Sequence, residues 1–276
     1  MNCWQTISTR SKPLSKLGPS PGDPAPCEEP IITFENVSIA FDHPVLDNVS
    51  FEVCKGETLC ILGRSGVGKS VALRLLMGFL KPDSGSIRIE GQEVTELDEE
   101  GLRALRKRVT MVFQNGALFD SLSVRENVAF PLRENSNLSD EQVDEFVERL
   151  INLVGAEDVV DVLPASLSTG RKRAVAMARA LAAQPEIVLY DEPTTMVDPL
   201  IARRLGNLIQ RLKQQLGFTS IVVTHDMRFA RCLADNVLFL DAGEASYFGP
   251  LKGFLASTDP HIREFLALDE YVLPGR

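Results

Sequence analysis

A chain of 276 residues holds one large α/β domain or two small ones, and an apolar content of 44% is enough for an ordinary core. Its net charge of −9 excludes a general nucleic-acid binder, which needs a basic face, so no nucleic-acid partner is expected. The five cysteines are scattered without a CxxC pair, which suggests neither a zinc knuckle nor a disulfide frame and fits unpaired thiols in a reducing compartment.

Residues 1–30 carry Pro, Ser and Lys without periodicity and read as a flexible leader, with a docking peptide as the other reading. The leader lacks the apolar middle of a signal peptide, and no run in the chain reaches the length of a membrane span. A cytoplasmic protein is expected, with any membrane role supplied by a partner. Folded structure is expected over residues 31–268, with a tail over 269–276. IITFENVSIAF and VSFEV alternate apolar and polar residues as strands do.

The apolar run Thr58–Leu62 leads into GRSGVGKS at Gly63–Ser70, and a helix-like run follows from Val71 to Leu80. Strand, Gly-rich loop and helix in that order form the setting of a phosphate-binding loop. Gly63, Gly66 and Gly68 let the backbone turn tightly and aim its N–H groups inward, and the helix adds its positive end. Lys69 is placed to neutralise β- and γ-phosphate oxygens, and the Ser70 hydroxyl to ligate Mg²⁺. The other reading, a Gly-rich turn with a solvated lysine, is disfavoured because both flanks are present. SIRIEG and RVTMVF add two short strands.

Residues 115–165 change character and read as mostly helical. Ser139 is a candidate N-cap, and Val143, Phe146, Val147, Leu150 and Val154 share a face at helical spacing. In LSTGRKRAVAMARAL a small hydroxyl residue and a glycine precede a helix, expected over Arg171–Ala183, with a basic first turn. That is a second anion-binding geometry. One γ-phosphate has no need of two such loops from one chain, so two copies are expected to complete each other's sites.

The apolar strand Ile187–Tyr190 ends in Asp191 and Glu192. The aspartate can hold the Mg²⁺ shell and the glutamate can polarise an attacking water; the alternative is a plain helix cap or turn. Asp198 and Pro199 open a long helix with Ile201, Leu205, Leu208 and Leu212 on its core face and Gly217 at its end. TSIVVT is a second buried strand, and His225 just after it can donate to the γ-phosphate region. NVLFLDAGEASYFG reads as a hairpin around Ala242–Gly243, and two short helices close the chain. Helices alternating with continuous apolar strands imply a mainly parallel sheet covered on both faces.

Taken in order, these residues resemble the nucleotide-binding subunit of an ABC transporter, from about Ile31 to Leu268. The resemblance implies an α/β P-loop NTPase with a RecA-like core, an antiparallel β subdomain and a helical insert over about 115–183. It makes Gly63, Arg64, Ser65, Gly66, Val67, Gly68, Lys69, Ser70 and Val71 the nucleotide-binding Walker A region. It makes Asp191 the Walker B aspartate, on Mg²⁺ directly or through water, and Glu192 the catalytic glutamate. Gln114 becomes a Mg²⁺ and water ligand that reports to the permease, and His225 the switch histidine. Ser168, Thr169 and Gly170 become the signature that acts on the other copy's ATP, and Asp198 the D-loop aspartate. Phe41 stands where an aromatic stacks on adenine, or is an ordinary edge-strand aromatic.

A finer resemblance, carried by FQNGALFDSLSVRENVAFPL at Phe113–Leu132, YDEPTT, THDMRFA and the tail DPHIREFL, is to the ATPases of Mce/Mla-type phospholipid transporters. It implies a homodimer on the inner face of the cytoplasmic membrane, under an MlaE-like permease. A Mce-type substrate-binding protein and a small regulatory subunit are further implied partners. Leu118, Phe119 and Leu122 then form a docking face, or else pack within the insert. Three departures fall where the two copies would meet: Thr169 for the first signature glycine, Ala174 for an arginine, and Met196–Val197 for Gly-Leu. They leave open a regulatory ATP-binding protein with feeble hydrolysis; another cargo (lipoprotein or amino acid) on the same motor is also open, because in this family other subunits select the cargo.

Overall fold

A computed structural model describes residues 29–270; the expected leader (1–30) and tail (269–276) lie almost wholly outside them. Its strands are β1 (Pro30–Ala40), β2 (Pro44–Cys54), β3 (Thr58–Leu62), β4 (Ser84–Ile89), β5 (Gln92–Glu93), β6 (Val109–Val112), β7 (Ile187–Asp191), β8 (Thr219–Val223), β9 (Asn236–Asp241) and β10 (Glu244–Pro250). Four of them form an antiparallel sheet in the order β2-β1-β4-β5. There Phe34 lies opposite both Phe51 and Ile87, and the two phenyl rings stack at 4.6 Å. The other six make a sheet ordered β10-β9-β3-β8-β7-β6, parallel except for the β9–β10 hairpin.

Period-two alternation divides the parallel strands between two cores. Leu59, Ile61, Ile187, Leu189, Ile221 and Val223 face the antiparallel sheet, with α1 (Lys69–Leu76) and α2 (Glu99–Arg108). Cys60, Leu62, Val188, Tyr190 and Val222 face the opposite way. On that side lie α3 (Val124–Asn135), α4 (Asp140–Val154), α5 (Thr169–Ala182), α6 (Pro199–Leu216) and α7 (Met227–Leu233). The chain closes with α8 (Leu251–Leu255) and α9 (Pro260–Glu270). Each fully buried Leu or Ile contributes about 1.5–3 kcal/mol, so the two-sided burial of β3, β7 and β8 fixes the frame from which the site hangs.

The helix ends follow local chemistry. Ser139 caps α4 in a reciprocal capping box with Gln142. Asp198 caps α6, accepting from the Leu200 amide at 2.8 Å, and Gly217 ends it in the left-handed region. Three expectations shift. The helix after the loop stops at Leu76 rather than Leu80, and Gly78 beyond it is left-handed. The α5 helix starts at Thr169 rather than Arg171, because Ser168 is its cap. The buried face of α6 is Ala202, Leu205, Gly206, Ile209 and Leu212, while Ile201 and Leu208 are half-buried. Two of the five are small, and Gly206 packs beside Phe229 of α7, where an added Cβ would sit in ordinary contact with the ring at 3.4 Å. Among the cysteines, Cys60 and Cys232 are free, but Cys54 is disulfide-bonded, so the expectation of unpaired thiols fails there. A pair distant in sequence leaves no spacing signal.

Candidate active site

All five residues of β3 are buried, and the strand delivers the chain to the loop at its C-terminal end. Gly63 has φ +151°, and a Cβ there would lie 2.4 Å from the Leu240 carbonyl oxygen on β9. Gly68 has φ +103°, and a Cβ would lie 2.9 Å from the Val45 carbonyl oxygen on β2. The loop is thus wedged between the two sheets, where only glycine fits. Lys69 follows at the first turn of α1 and is 5% exposed. Its Nζ donates to the carbonyls of Gly63 at 2.9 Å and Arg64 at 3.0 Å. A buried ammonium is tolerated only when paired, and Glu192 supplies that charge at 3.4 Å. Around it, Arg64 and Ser65 are exposed, while Val67 and Val71 pack partly into the core beneath. Arg64 pairs with Glu264 of α9 at 2.6 Å.

Strand β7 lies between β6 and β8 and ends at Asp191, in register with Val223. Asp191 Oδ1 accepts the Ser70 hydroxyl at 2.6 Å. Glu192 adopts φ +46°, a left-handed conformation that costs a non-glycine residue about 1–2 kcal/mol. It is held there by a backbone bond from its N–H to Val223 at 2.9 Å. Its carboxylate takes the Thr195 hydroxyl at 3.1 Å and lies 2.8 Å from His225 Nδ1. Burial pushes the Glu192 carboxyl up; the His225 bond and charge, with Lys69 and Thr195, outweigh it and leave it below the usual carboxylate value. The same bond raises His225 above the ordinary imidazole value, against burial.

Lys69, Glu192 and His225 therefore form one contact chain, and the neighbouring residues Ser70 and Asp191 pair beside it. Gln114, exposed just past β6, joins Asp191 and Thr169 in the lining of a cavity of about 560 Å³. The structure does not bring the other expected residues into that cluster. Ser168 and Gly170 border a different cavity, of about 510 Å³, with Ala174 and residues of α4 and α6. Gly170 is required within its own chain, since a Cβ would meet Ile201 Cγ2 at 2.7 Å. Asp198 is spent on capping α6, and Phe41, 57% exposed, lies in the turn between β1 and β2.

Four residues have a role in the site that sequence reading did not assign. Thr195 orients Glu192, and Arg173, 4% exposed, reaches the Thr195 carbonyl at 3.2 Å. Fully buried Asn127 accepts from the Phe119 amide at 2.8 Å and donates to the carbonyls of Phe119, Leu122 and Ser123. Arg179 donates to the Gly116 carbonyl at 3.2 Å and stacks on Phe119. The last two pin the segment after Gln114. The two readings of that segment divide: Leu118 packs on the core, Leu122 is half-buried, and Phe119 pairs with Phe130 at 4.8 Å as exposed rings.

The pattern of the ABC transporter family matches residues 46–195, from the strand behind the loop to Thr195 beside Glu192. The chain belongs to the ABC transporter family. As an ABC protein it is similar to the methionine import ATP-binding protein MetN of Mesorhizobium japonicum, at 41% identity over 81% of this chain and 61% of that one. It is 40% identical to MetN of Brucella abortus, over 91% of this chain and 69% of the relative. The chain thus spans about two thirds of the length of these curated relatives. Among solved structures, a dimeric ATP-binding cassette in a post-hydrolysis state with ADP and Pi matches with TM-score 0.73 and 30% identity, over 80% of this chain and 98% of that one. The cbiO1 protein of Clostridium perfringens, part of the cbiONQ ABC transporter complex, matches with TM-score 0.78 and 29% identity, over 90% and 97%. These likenesses establish the ABC ATPase fold. The relatives are named for methionine import, so the phospholipid resemblance finds no counterpart in them.

The residues fit ATP and its metal. Two hard oxygen donors, Ser70 Oγ and Asp191 Oδ1, lie 2.6 Å apart. Mg²⁺ takes one or two carboxylates together with substrate phosphates and water. The glycines that admit no Cβ leave backbone free to approach a phosphate.

Proposed function

We propose that this chain binds ATP with Mg²⁺ at Gly63–Val71 and hydrolyses it, as the motor subunit of an ABC importer for an amino acid of the methionine class. The observation that carries hydrolysis is the Glu192 carboxylate, held by His225 and Thr195 within 3.4 Å of Lys69. Lys69 draws charge from the β- and γ-phosphate oxygens. Glu192 accepts a hydrogen bond from water and aligns it for in-line attack on the γ-phosphorus. A P–O bond to the new phosphate forms as the bond to ADP breaks, and Glu192 takes the water's proton. His225 fixes the glutamate and donates toward the γ-phosphate. Mg²⁺, when held by Ser70 and Asp191 with Gln114, neutralises charge on the phosphate oxygens.

In this reading residues 31–268 are the nucleotide-binding domain, with the insert at 115–183. Ser168–Gly170 complete the site of a second copy, with Asp198 at the joint and Phe41 beside adenine. The dimeric neighbours support that assembly. None of the helices among the described residues is long and apolar enough to cross a membrane. The motor then sits on the inner face of the cytoplasmic membrane through a permease, on the exposed Phe119–Phe130 pair. The methionine class rests on the relatives' names. A phospholipid permease, with a Mce-type and a small regulatory partner, is the second reading, and rests on Phe113–Leu132 with YDEPTT, THDMRFA and DPHIREFL. Purification with the native permease decides: stimulation of ATP turnover by methionine supports the first, and stimulation by phospholipid alone contradicts it.

A further inference from the structure

Glu192 heads a tight turn over residues 192–197 whose backbone is strained at two points, with φ +46° at Glu192 and φ +59° at Met196. Residues with a Cβ hold that conformation only where the surroundings over-determine it. Inside the turn, the Thr195 amide donates to the Glu192 carbonyl at 3.2 Å and the Val197 amide to the Thr194 carbonyl at 3.2 Å. The Thr195 hydroxyl donates to the Glu192 carboxylate at 3.1 Å. Among the described residues, one hydrogen bond reaches residues 194–197 from another element. It comes from Arg173, in the second turn of α5, whose Nη2 donates to the Thr195 carbonyl at 3.2 Å.

The surroundings of Arg173 suit a cation poorly. It is 4% exposed, and its Nη1 is buried with no hydrogen-bond partner. Burial draws its guanidinium below the ordinary arginine value, and no neighbouring carboxylate offsets this. A buried charge in that state lowers stability relative to an apolar side chain of similar length. Packing therefore does not account for an arginine here, whereas its bond to the turn does.

We propose that Arg173 is a positioning residue for hydrolysis: by holding the Thr195 carbonyl it fixes the turn that aims the Thr195 hydroxyl at Glu192, and so sets how the glutamate meets water. The effect on water rests on the hydrolysis proposed above; the hold on the turn does not. Because Arg173 follows Ser168–Gly170 along α5, a shift at the start of that helix reaches Glu192 through the same bond.

Three full chains test this: the parent, Arg173→Met, which keeps the length without the donors, and Arg173→Lys, which keeps a charge and a donor. In Arg173→Met the melting temperature is expected to hold or rise. Amide hydrogen exchange across residues 192–197 is expected to quicken while that of β7 stays as it was. ATP turnover at saturation is expected to fall about 10–10²-fold with KM for ATP unchanged, and Arg173→Lys to recover part of both losses. Parental exchange and turnover in Arg173→Met would overturn the positioning role. So would a lower melting temperature with protection lost throughout the chain, which is what a residue needed only for folding would give. If the parent itself hydrolyses no ATP, the function proposed above fails, and exchange over residues 192–197 still decides whether Arg173 holds the turn.

Discussion

Three interactions converge on one carboxylate at Glu192, from Lys69, Thr195 and His225, in a left-handed backbone that alanine-like residues avoid. Replacing Glu192 with Gln keeps the shape and removes the base; ATP turnover is expected to fall about 10²–10⁴-fold with nucleotide affinity kept. The His225 contact carries a sign that can be read by titration. His225 is raised, so its share of stability is full below its ordinary value of 6.5 and is lost as pH rises through its folded value. Glu192 is lowered, so its share is full above 4.5 and is lost as pH falls through its folded value. Between 4.5 and 6.5 the pair is at full strength. An NMR titration of His225 should give a midpoint above 6.5 in the parent and a lower one in Glu192→Gln; an unmoved midpoint would remove Glu192 as the cause. Lys69, Ser70, Asp191, Glu192 and His225 were all legible because each ends a strand or opens a helix in an ordered motif. Thr195 and Arg173 were not, because a hydroxyl and a buried guanidinium that serve through other residues leave no spacing signal.

At the level of elements, the segment from Gln114 to α3 has little regular structure of its own and depends on Asn127. That side chain satisfies four backbone groups from a site with no solvent access. Truncation to Ala leaves the Phe119 amide and the Leu122 carbonyl unmet, while the Phe119 and Ser123 carbonyls keep the amides of Leu122 and Asn127; at about 1–2 kcal/mol for each unmet group we expect a loss of about 2–4 kcal/mol. Denaturant melts of Asn127→Ala measure it; a loss under about 1 kcal/mol would mean water replaces the amide without cost. Strands β3, β7 and β8 could be read as continuous apolar runs, because both faces are covered. The α2 helix could not: only Leu102 and Leu105 of its ten residues are buried, and Asp98 rather than periodicity defines its start. The α6 face was misjudged by its small residues, since Ala202 and Gly206 pack closely while adding little to an apolar pattern. Met196 shows the reverse case: it is 94% exposed with φ +59°, a position where glycine relieves strain, and nothing within the described chain explains a methionine there.

Across the whole molecule, two helix starts have the geometry that suits an anion, the loop before α1 and Ser168–Gly170 before α5, and none of Gly63–Val71 lines the cavity that Ser168 and Gly170 border. Fold and family could be read from the sequence because ordered motifs fix them. Cargo class could not, because the nucleotide motifs are shared by motors of different cargo, and the expectation of phospholipid gives way to methionine-named relatives. The central claim is that one ATP is held between two copies. Light scattering of Glu192→Gln with and without ATP tests it most directly: the mass should double when ATP is added and return when it is removed. A chain that binds ATP tightly and keeps a single-chain mass throughout would contradict the account.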